Sequence, residues 1–394
     1  MSTTSCPACG ASGLTPFHAV DAVPVNSCLL VADEHSARDF PRGDLRLAHC
    51  TACGFITNTA FDPARSTYSA DYEETQGFSP RFQQFIGEVS RRWVDRYDLQ
   101  GKHVVEIGCG KGEFLVEMLR AGAGTGLGID PGVHPERVPG DVADRAQWVQ
   151  GFFPQDLPVL EADAVVCRHT LEHIAPVREF MTDVRSALGE RRDTAVLFEL
   201  PGTLHVLDEA WFWDTYYEHC SYFTAGSLAR LFRATGFEVL EVWPAYDGQY
   251  VIVEARPSDV PAAGTPLPVE DDLAAIAAGA ETFARSYDLV VDRWRQRVRD
   301  AAAGGGSVVL WGSGSKGVAF LAALGEDARL VTAAVDINPF KHGRWMAGTG
   351  HRIVAPKELV DLKPALVIAM NSTYLEEIGR DLAELGVETE LEAV

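Results

Sequence analysis

The chain has 394 residues, a length that favours two or three domains over one compact core. Its apolar content of 46% and charged content of 23% are ordinary for a water-soluble protein, and no apolar run reaches the roughly eighteen residues of a membrane span. The net charge of −22 argues against a nucleic-acid partner, because binding a polyanion requires clustered Lys and Arg. The N-terminus lacks a signal-peptide pattern, so we expect a cytoplasmic protein. We also expect a monomer or a weak homo-oligomer.

Two matched CxxC pairs mark the first predicted domain, residues 1–75, which is short of helical periodicity. In a reducing compartment such pairs are typical of metal ligands rather than disulfides. Four thiolates suit a closed tetrahedral shell with no open position, so we predict a structural zinc ion. Cys28 lies between the pairs and ranks below them as a ligand. The predicted ligands are Cys6, Cys9, Cys50 and Cys53.

The second predicted domain, residues 76–258, opens with an amphipathic pattern that predicts a helix over 80–98. Apolar strand-like runs then alternate with helical stretches, which is typical of an α/β layer fold. These runs are "HVVEIG", "GTGLGID", "DAVVCR", "TAVLFEL" and "YVIVEA".

The third predicted segment, residues 259–394, starts with a proline-rich linker and a helical stretch of about thirty residues. The alternation then restarts with "SVVLWGSGSKG", "LVTAAVDINP" and "ALVIAMN". Such a restart indicates a second doubly wound α/β domain rather than a continuation of the first.

A glycine loop follows the first strand of the middle domain, in "VVEIGCGKGEFL". Glycines let a backbone turn sharply and approach a ligand closely. Asp130 ends the next strand, where an acidic residue meets a ribose diol. A glycine loop alone fits NAD as well as other adenosine ligands, but the spacing E-x-G-x-G-x-G is narrower. It resembles motif I of class I S-adenosylmethionine (SAM) methyltransferases, and its residues are Glu106, Gly108, Gly110 and Gly112.

That resemblance implies roles for the cofactor-binding residues. Asp130 is expected to bind the ribose hydroxyls, and the glycine loop to face the methionine part of SAM. Gln150, Gly151 and Phe152 follow the third strand, where the adenine is usually held, although that part of the pattern is less specific.

The segment "WFWDTYYEHCSYFT", residues 211–224, places two carboxylates and a histidine among aromatic rings. With the zinc pairs, the SAM motif and the second α/β domain, it resembles the three-domain SAM-dependent sugar C-methyltransferases. That family methylates the carbon next to the carbonyl of nucleotide-linked keto-deoxysugars. Its most specific counterparts here are "GSGSKG…VDINPFKHGR" and the residues His173, Tyr216, Glu218 and His219.

The resemblance implies a fold with three parts: a small N-terminal zinc-binding domain, a class I methyltransferase Rossmann-like domain and a C-terminal Rossmann-like domain. It also implies a base that removes a proton next to a carbonyl, a task that suits histidine. His219 is favoured over His173 because Glu218 adjoins it, but the choice stays open. We expect Glu218 to orient the imidazole and Tyr216 to donate to the enolate oxygen.

A tyrosine-rich stretch, "STYSADYEE", resembles one that reaches the substrate in this family. Tyr72 is the preferred residue and Tyr68 its rival. Trp211 and Trp213 are interpreted as packing rather than chemistry. The chain departs from the family at "AYDGQYVIVEA", where Gly248 and Gln249 replace a His-Gly-Gly-Ser-type turn, and at "MAGTGHRI".

The C-terminal domain carries its own glycine turn around Lys316, which suits a phosphate group, with Lys341 and Arg344 adding positive charge. The same turn, with Asp336 after the next strand, also matches a NAD-binding pattern. We prefer an acceptor-side role, closing over or holding a nucleotide diphosphate, and a scaffold role is the alternative. The glycines of this turn are Gly312, Gly314 and Gly317.

The leading hypothesis is therefore a SAM-dependent C-methyltransferase acting on a nucleotide-linked keto-sugar, with neither a nucleic-acid nor a membrane partner. Methylation of oxygen or nitrogen on a sugar or natural-product acceptor is the nearest alternative. An NAD(P)-dependent sugar oxidoreductase and a non-catalytic zinc adaptor are hypotheses from other classes.

Overall fold

The computed structural model describes residues 5–66, 71–260 and 263–394. Its strands are β1 (Leu14–Pro24), β2 (Arg42–Cys50), β3 (Ile56–Asn58), β4 (His103–Ile107), β5 (Thr125–Ile129), β6 (Ala146–Val149), β7 (Ala164–Arg168), β8 (Ala195–Pro201), β9 (Ser221–Tyr222), β10 (Phe237–Ala245), β11 (Tyr250–Pro257), β12 (Ser307–Trp311), β13 (Val331–Val335), β14 (Ile353–Val354), β15 (Pro364–Ala369) and β16 (Glu390–Ala393). Its α-helices are α1 (Glu34–Arg38), α2 (Pro80–Arg96), α3 (Glu113–Ala121), α4 (Val177–Ala187), α5 (Leu204–Glu209), α6 (Ala225–Ala234), α7 (Leu273–Ala303), α8 (Ser315–Leu324), α9 (Leu359–Leu362) and α10 (Leu375–Glu384).

The central sheet has seven strands in the order β10-β11-β8-β7-β4-β5-β6. All neighbours are parallel except β11, which runs antiparallel to both β8 and β10. The strand order reverses between β4 and β7, and ligands of such sheets bind at the carboxyl ends of the strands beside this point. The five strand-like runs of the middle domain are all found as strands, and β10 is an additional strand that the sequence analysis did not identify.

Both faces of the central sheet are buried by helices. Successive residues of a strand point to opposite sides, so each strand contributes to the core on both faces. Val104 packs in the core cluster formed with α2 and α3, whereas Val105 packs in the cluster formed with α4 and α6. Because both faces are buried, a strand such as β7 has a near-continuous apolar sequence, "AVVCR".

Helix α2 begins where its sequence provides a cap and a proline. Ser79 accepts a hydrogen bond from the backbone N–H of Phe82, and Pro80 occupies the first turn, where its missing N–H costs nothing. The helix ends at Arg96, two residues before the predicted end, and Trp93 on its inner face is fully buried.

The N-terminal sheet has the order β1-β2-β3-β9, so it takes its last strand from the aromatic segment of the middle domain. Ile56 pairs with Tyr222, and Thr57 pairs with Ser221. This pairing holds the aromatic segment against the N-terminal sheet.

The C-terminal sheet is fully parallel, in the order β14-β13-β12-β15-β16, and α7 spans 31 residues before it. The prediction of an α/β fold with a second doubly wound unit is therefore confirmed, while the exact domain boundaries at 75 and 258 stay predictions. In the described ranges, no helix combines the length and apolarity that crossing a bilayer requires.

Candidate active site

A cavity of about 790 Å³ opens at the carboxyl edge of the central sheet, a size typical of small-molecule sites. Its lining includes the glycine loop after β4, the aromatic segment and the start of α8. Gly108, Asp130, His219 and Lys316 therefore face one enclosed space, although they are far apart in the chain.

The glycine loop is built so that only glycine fits at its turns. Gly108, Gly110 and Gly112 have φ values of +69°, +52° and +84°, in the left-handed region that other residues rarely adopt. A Cβ atom at Gly108 would overlap the side chain of Thr170, and one at Gly112 would overlap the ring of Trp148. Helix α3 starts directly after Gly112, so its N-terminus faces the loop.

Asp130 stands at the opening of this loop. Its Oδ2 accepts a hydrogen bond of 3.1 Å from Gly110 N, and its Oδ1 accepts one of 2.6 Å from Gly132 N. Burial raises the pKa of Asp130, and these two N–H donors oppose that rise. Because a carboxylate oxygen accepts more than one hydrogen bond, the group retains capacity for the two hydroxyls of a ribose.

Glu106 has a structural task in addition to lining the cavity. Its Oε2 accepts a hydrogen bond of 3.0 Å from Leu115 N, which ties β4 to α3. Burial raises the pKa of Glu106 to about 8. The carboxyl group therefore stabilises the glycine loop by joining the strand before it to the helix after it.

Gly151 and Phe152 lie at the rim of the same cavity. Phe152 N donates to Asp156 Oδ2 at 2.8 Å, and the Phe152 side chain is half exposed. An aromatic ring presented at a cavity mouth is suited to stacking on a planar group. The assignment of this rim to an adenine stays a prediction.

Glu74 is a cavity residue that the sequence analysis missed. Its Oε2 lies 3.9 Å from Lys111 Nζ, and a Cβ atom at Gly110 would come close to its Oε1. Burial raises the pKa of Glu74 to about 7. The only available signal was a pair of acidic residues in "DYEE", which is too common a pattern to indicate a site.

Two histidines meet in the cavity. The rings of His173 and His219 are 4.7 Å apart at an interplanar angle of 85°, and the ring of Tyr216 lies 4.2 Å from that of His219. Nδ1 of His173 is 3.1 Å from the carbonyl oxygen of Glu218. Since a carbonyl only accepts, Nδ1 of His173 is the donor in this contact.

His219 is held in its neutral form by its surroundings. Burial, reinforced by positive charge at His173, His169 and Lys316, lowers its pKa well below the ordinary value. A neutral imidazole is the form that accepts a proton, so the electrostatics of this position suit a general base.

Glu218 differs from the prediction made for it. Its carboxylate points to the N-terminal domain, where it accepts hydrogen bonds from Asn26 Nδ2, Ser27 N and Tyr72 Oη at 3.2, 3.1 and 3.0 Å, and from the Ser27 hydroxyl. His219 is not among its hydrogen-bond partners in the described part of the chain. Neighbouring side chains in a turn diverge, so adjacency along the chain does not bring Glu218 to the imidazole.

The tyrosines are placed differently from one another. Tyr216 lines the cavity, and burial raises its pKa well above the ordinary value, which keeps its hydroxyl protonated as a donor. Tyr72 also lines the cavity but donates to Glu218. Tyr68, its rival in the sequence analysis, lies outside the described residues.

The C-terminal domain reaches the cavity through its glycine turn. Lys316 Nζ donates to Asp214 Oδ2 at 2.8 Å and to Gln249 Oε1 at 3.2 Å. Gln249 Nε2 in turn donates to Asn371 Oδ1 at 2.8 Å. Gln249, at the departure from the family pattern, thus links the central sheet to the C-terminal domain.

Asp336 is already engaged by its own domain. It accepts from Ser313 N at 3.1 Å, from Ser313 Oγ at 2.6 Å and from Lys341 Nζ at 3.2 Å. Burial acts against the charge of Asp336, but Lys341 together with the hydrogen bonds from Ser313 and Asn338 outweighs burial, and the pKa is lowered. This use of the carboxylate leaves less capacity for the ribose of a nicotinamide cofactor.

Trp211 and Trp213 pack as interpreted from the sequence. Their rings stack at 5.7 Å, and Trp213 is buried. Phe212 between them stacks at 5.8 Å on Phe320 of α8. The aromatic segment therefore joins the C-terminal domain as well as the N-terminal sheet.

The four predicted zinc ligands form one cluster. Sγ of Cys6 lies 3.6 Å from Sγ of Cys53, and Sγ of Cys9 lies 3.7 Å from Sγ of Cys50. A tetrahedral zinc site with Zn–S bonds of about 2.3 Å has Sγ atoms about 3.8 Å apart, so the donor set fits the ion. Cys28 is elsewhere, 3.5 Å from Ser315 Oγ, and is not part of the cluster.

This fold and site define a class. A seven-stranded sheet with an antiparallel β11, a glycine loop after β4 and an acidic residue after β5 make the chain a class I SAM-dependent methyltransferase.

Comparison with protein families leads to the same class and extends it. Residues 78–242 match a model described as a methyltransferase domain, and residues 271–389 match one described as a C-methyltransferase C-terminal domain. The chain therefore combines a methyltransferase domain with a C-methyltransferase C-terminal domain.

Among curated proteins, the C-methyltransferase NovU of Streptomyces niveus is 27% identical over 304 residues, which cover 72% of this chain and 70% of that protein. Ribosomal protein L11 methyltransferase of Klebsiella pneumoniae is 32% identical over 105 residues, only 25% of this chain and 36% of that protein. The second similarity is confined to part of each chain.

Among solved structures, a riboflavin-derivative dimethyltransferase (RosA) from Streptomyces davawensis shares 22% identity, with a TM-score of 0.38 over 45% of this chain and 55% of that one. Magnesium protoporphyrin IX methyltransferase (ChlM) from Synechocystis, with bound S-adenosylhomocysteine, shares 19% identity, with a TM-score of 0.35 over 45% and 84% of the two chains.

Proposed function

We propose that this enzyme transfers a methyl group from SAM to the carbon next to the carbonyl of a nucleotide-linked keto-deoxysugar, and that it contains a structural zinc ion. The observation that carries the proposal is the pair of imidazoles, His173 and His219, in the same cavity as the glycine loop. The C-methyltransferase C-terminal domain and the similarity to NovU support a carbon acceptor.

Carbon becomes a nucleophile only after the proton next to the carbonyl is removed. In the proposed reaction a ring nitrogen of His219 takes this proton, and the electron pair of the C–H bond passes to the carbonyl oxygen as an enolate. A positioned base of this kind contributes roughly 10²- to 10⁴-fold in rate. The hydroxyl of Tyr216, kept protonated by its burial, is suited to donate to the enolate oxygen.

The residues around Gly108, Gly110 and Gly112, together with Asp130, Gly151 and Phe152, are proposed to hold SAM. When bound, SAM supplies an electrophilic methyl group that the enolate carbon accepts. The chain's contribution to that step is positioning and the exclusion of water by the surrounding rings of the aromatic segment.

The nucleotide part of the acceptor is proposed to lie against the C-terminal domain. Lys316 and Lys341 both line the cavity and bring positive charge to a chain whose net charge is −22. Lys316 lies in the first turn of α8 and suits a diphosphate, since the first N–H groups of that helix can also donate to it.

The test uses the purified protein with SAM and a set of dTDP-linked keto-deoxysugars, followed by mass spectrometry for a gain of one CH₂ unit. In heavy water, hydrogen next to the carbonyl should exchange before methyl transfer, which methylation of oxygen or nitrogen does not require. Separate substitutions H219N and H173N should show which imidazole is the base, with SAM binding retained. Full activity in both variants would remove the proposal.

A further inference from the structure

A buried carboxylate beside the two imidazoles has no role so far. Glu172 follows β7 in the segment "LEHI" and is only 2% exposed. Neither of its oxygens, Oε1 or Oε2, has a hydrogen-bond partner in the part of the chain that the structure describes. A buried carboxylate without a hydrogen-bond donor is costly, and native proteins retain such groups mainly where they serve a function.

The surroundings of Glu172 are imidazoles. One of its oxygens and one ring nitrogen from each of His173 and His219 lie within 4.8 Å of one another. On its other side, Nδ1 of His169 is 3.5 Å from Oε1. The 3.5 Å separation from His169 is longer than a typical hydrogen bond, and within the 4.8 Å limit a contact with either of the other imidazoles can form directly or through one water.

His169 is held in place by an unusual backbone. Its φ of +47° lies in the left-handed region, which is unfavourable for most residues other than glycine. This conformation sets its ring between two carboxylates, because Nε2 lies 3.0 Å from Glu199 Oε1 while Nδ1 faces Glu172. Strain of this kind persists where the surrounding structure enforces it, and it is concentrated at functional sites.

The charge of His169 follows from that position. Burial lowers its pKa, but the carboxylates of Glu172 and Glu199 outweigh burial, so the pKa is raised above the ordinary value. Glu199 also forms an ion pair with Arg168, so one carboxylate contacts both Arg168 and His169. The charged form of His169 is therefore favoured at a position 3.5 Å from Glu172.

We propose that Glu172, fixed by His169, is the positioning carboxylate that orients the imidazole of His219. The inference rests on the proposed function and deepens it by naming the partner of the base. Glu172 accepts the N–H of His219, so the opposite ring nitrogen keeps its lone pair toward the acceptor. When His219 takes the proton from carbon, the carboxylate stabilises the imidazolium that forms. Glu218, which the sequence favoured for this task, is committed to the N-terminal domain.

The experiment compares three variants of the full chain. E172Q keeps the shape of the side chain and removes its charge, and E172D keeps the charge with a shorter reach. E190Q is the matched control, since the Glu190 side chain is fully exposed. Calorimetric binding of S-adenosylhomocysteine, expected to be unchanged in all three, shows that the fold and the SAM half are intact.

Two readouts then report on the base. Side-chain ¹⁵N NMR of histidine-labelled protein, with His219 assigned through H219N, should show changed His219 ring-nitrogen shifts in E172Q but not in E190Q. Turnover of a dTDP-linked keto-deoxysugar should fall in kcat by about 10- to 100-fold in E172Q with little change in KM, and E172D should recover part of the loss.

The two proposals fail in different ways. If the native protein neither methylates the sugars nor exchanges their hydrogen, the proposed function fails, while the NMR comparison still tests the contact between Glu172 and His219. Unchanged His219 resonances and unchanged kcat in E172Q of an active enzyme overturn the inference. So does elemental analysis showing a second tightly bound metal ion that E172Q loses, because Glu172 would then be a metal ligand.

Discussion

Tyr72 and Glu218 are joined by a hydrogen bond of 3.0 Å between the phenol oxygen and Oε2 of the carboxylate. The bond connects the segment before α2 to the aromatic segment, and Asn26 and Ser27 complete the same cluster from the N-terminal domain. Glu218 thus holds three parts of the chain together at the position next to His219. It contributes to the site by stabilising the packing of these segments.

Removing that phenol hydroxyl is expected to loosen the cluster. Y72F leaves the ring but deprives a buried carboxylate of one donor, which costs about 1.5–3 kcal/mol for a hydrogen bond to a charged group. Thermal unfolding should show a lower Tm. In a double-mutant cycle with E218A the two losses should not add, because both substitutions remove the same bond. Additive losses would mean that the contact contributes nothing.

The glycine loop gives a second prediction. G108A forces a left-handed φ on alanine and overlaps Thr170, so the loop must shift. A penalty of about 1–3 kcal/mol corresponds to SAM binding about 5- to 150-fold weaker. G140A is the matched control, because a Cβ atom there meets no neighbour within 4 Å. Calorimetry with S-adenosylhomocysteine measures both, and equal affinities would contradict the placement of SAM at this loop.

The cysteine cluster gives a third prediction. Elemental analysis of the purified protein should find one zinc ion per chain, and C6S and C50S should lose both the metal and thermal stability, since zinc binding contributes folding free energy. C28S should retain zinc, because Cys28 lies beside Ser315 and outside the cluster. Loss of zinc in C28S alone would reverse the ligand assignment.

The pH dependence of turnover gives a fourth prediction. Because the pKa of His219 is lowered, its basic form predominates throughout the neutral range, and activity should decline only on the acid side of the ordinary histidine value. Since His173, His169 and Lys316 contribute to the shift, K316A should move this acid limb toward higher pH. The measurement is kcat/KM against pH, and an acid limb at or above the ordinary histidine pKa would contradict the assignment.

The cofactor half of the site was predictable because its parts are local. A strand, a glycine loop and a helix follow one another between His103 and Ala121, and Asp130 comes at the end of the next strand. In a parallel sheet these strand ends lie at one edge whatever the rest of the chain does. The spacing of glycines and the acidic residue therefore carried enough information to place them together.

The acceptor half was only partly predictable. Sequence motifs brought attention to His173, His219 and Tyr216, which the structure does place in one cavity. The partner of the base was assigned to Glu218 by adjacency, whereas the carboxylate that faces the imidazoles is Glu172, 47 positions before His219. No periodicity reports the direction in which a side chain leaves a turn.

By itself, the sequence determined the α/β class, the glycine loop with its acidic partner and the two CxxC pairs, since each depends on short-range spacing and backbone conformation. Only the tertiary structure decided that β9 joins the N-terminal sheet, that Lys316 reaches the cavity and that Glu172 rather than Glu218 faces the histidines. Those outcomes depend on how distant segments pack and on where buried polar groups find partners. The local sequence allows several side-chain directions, and tertiary packing selects one of them.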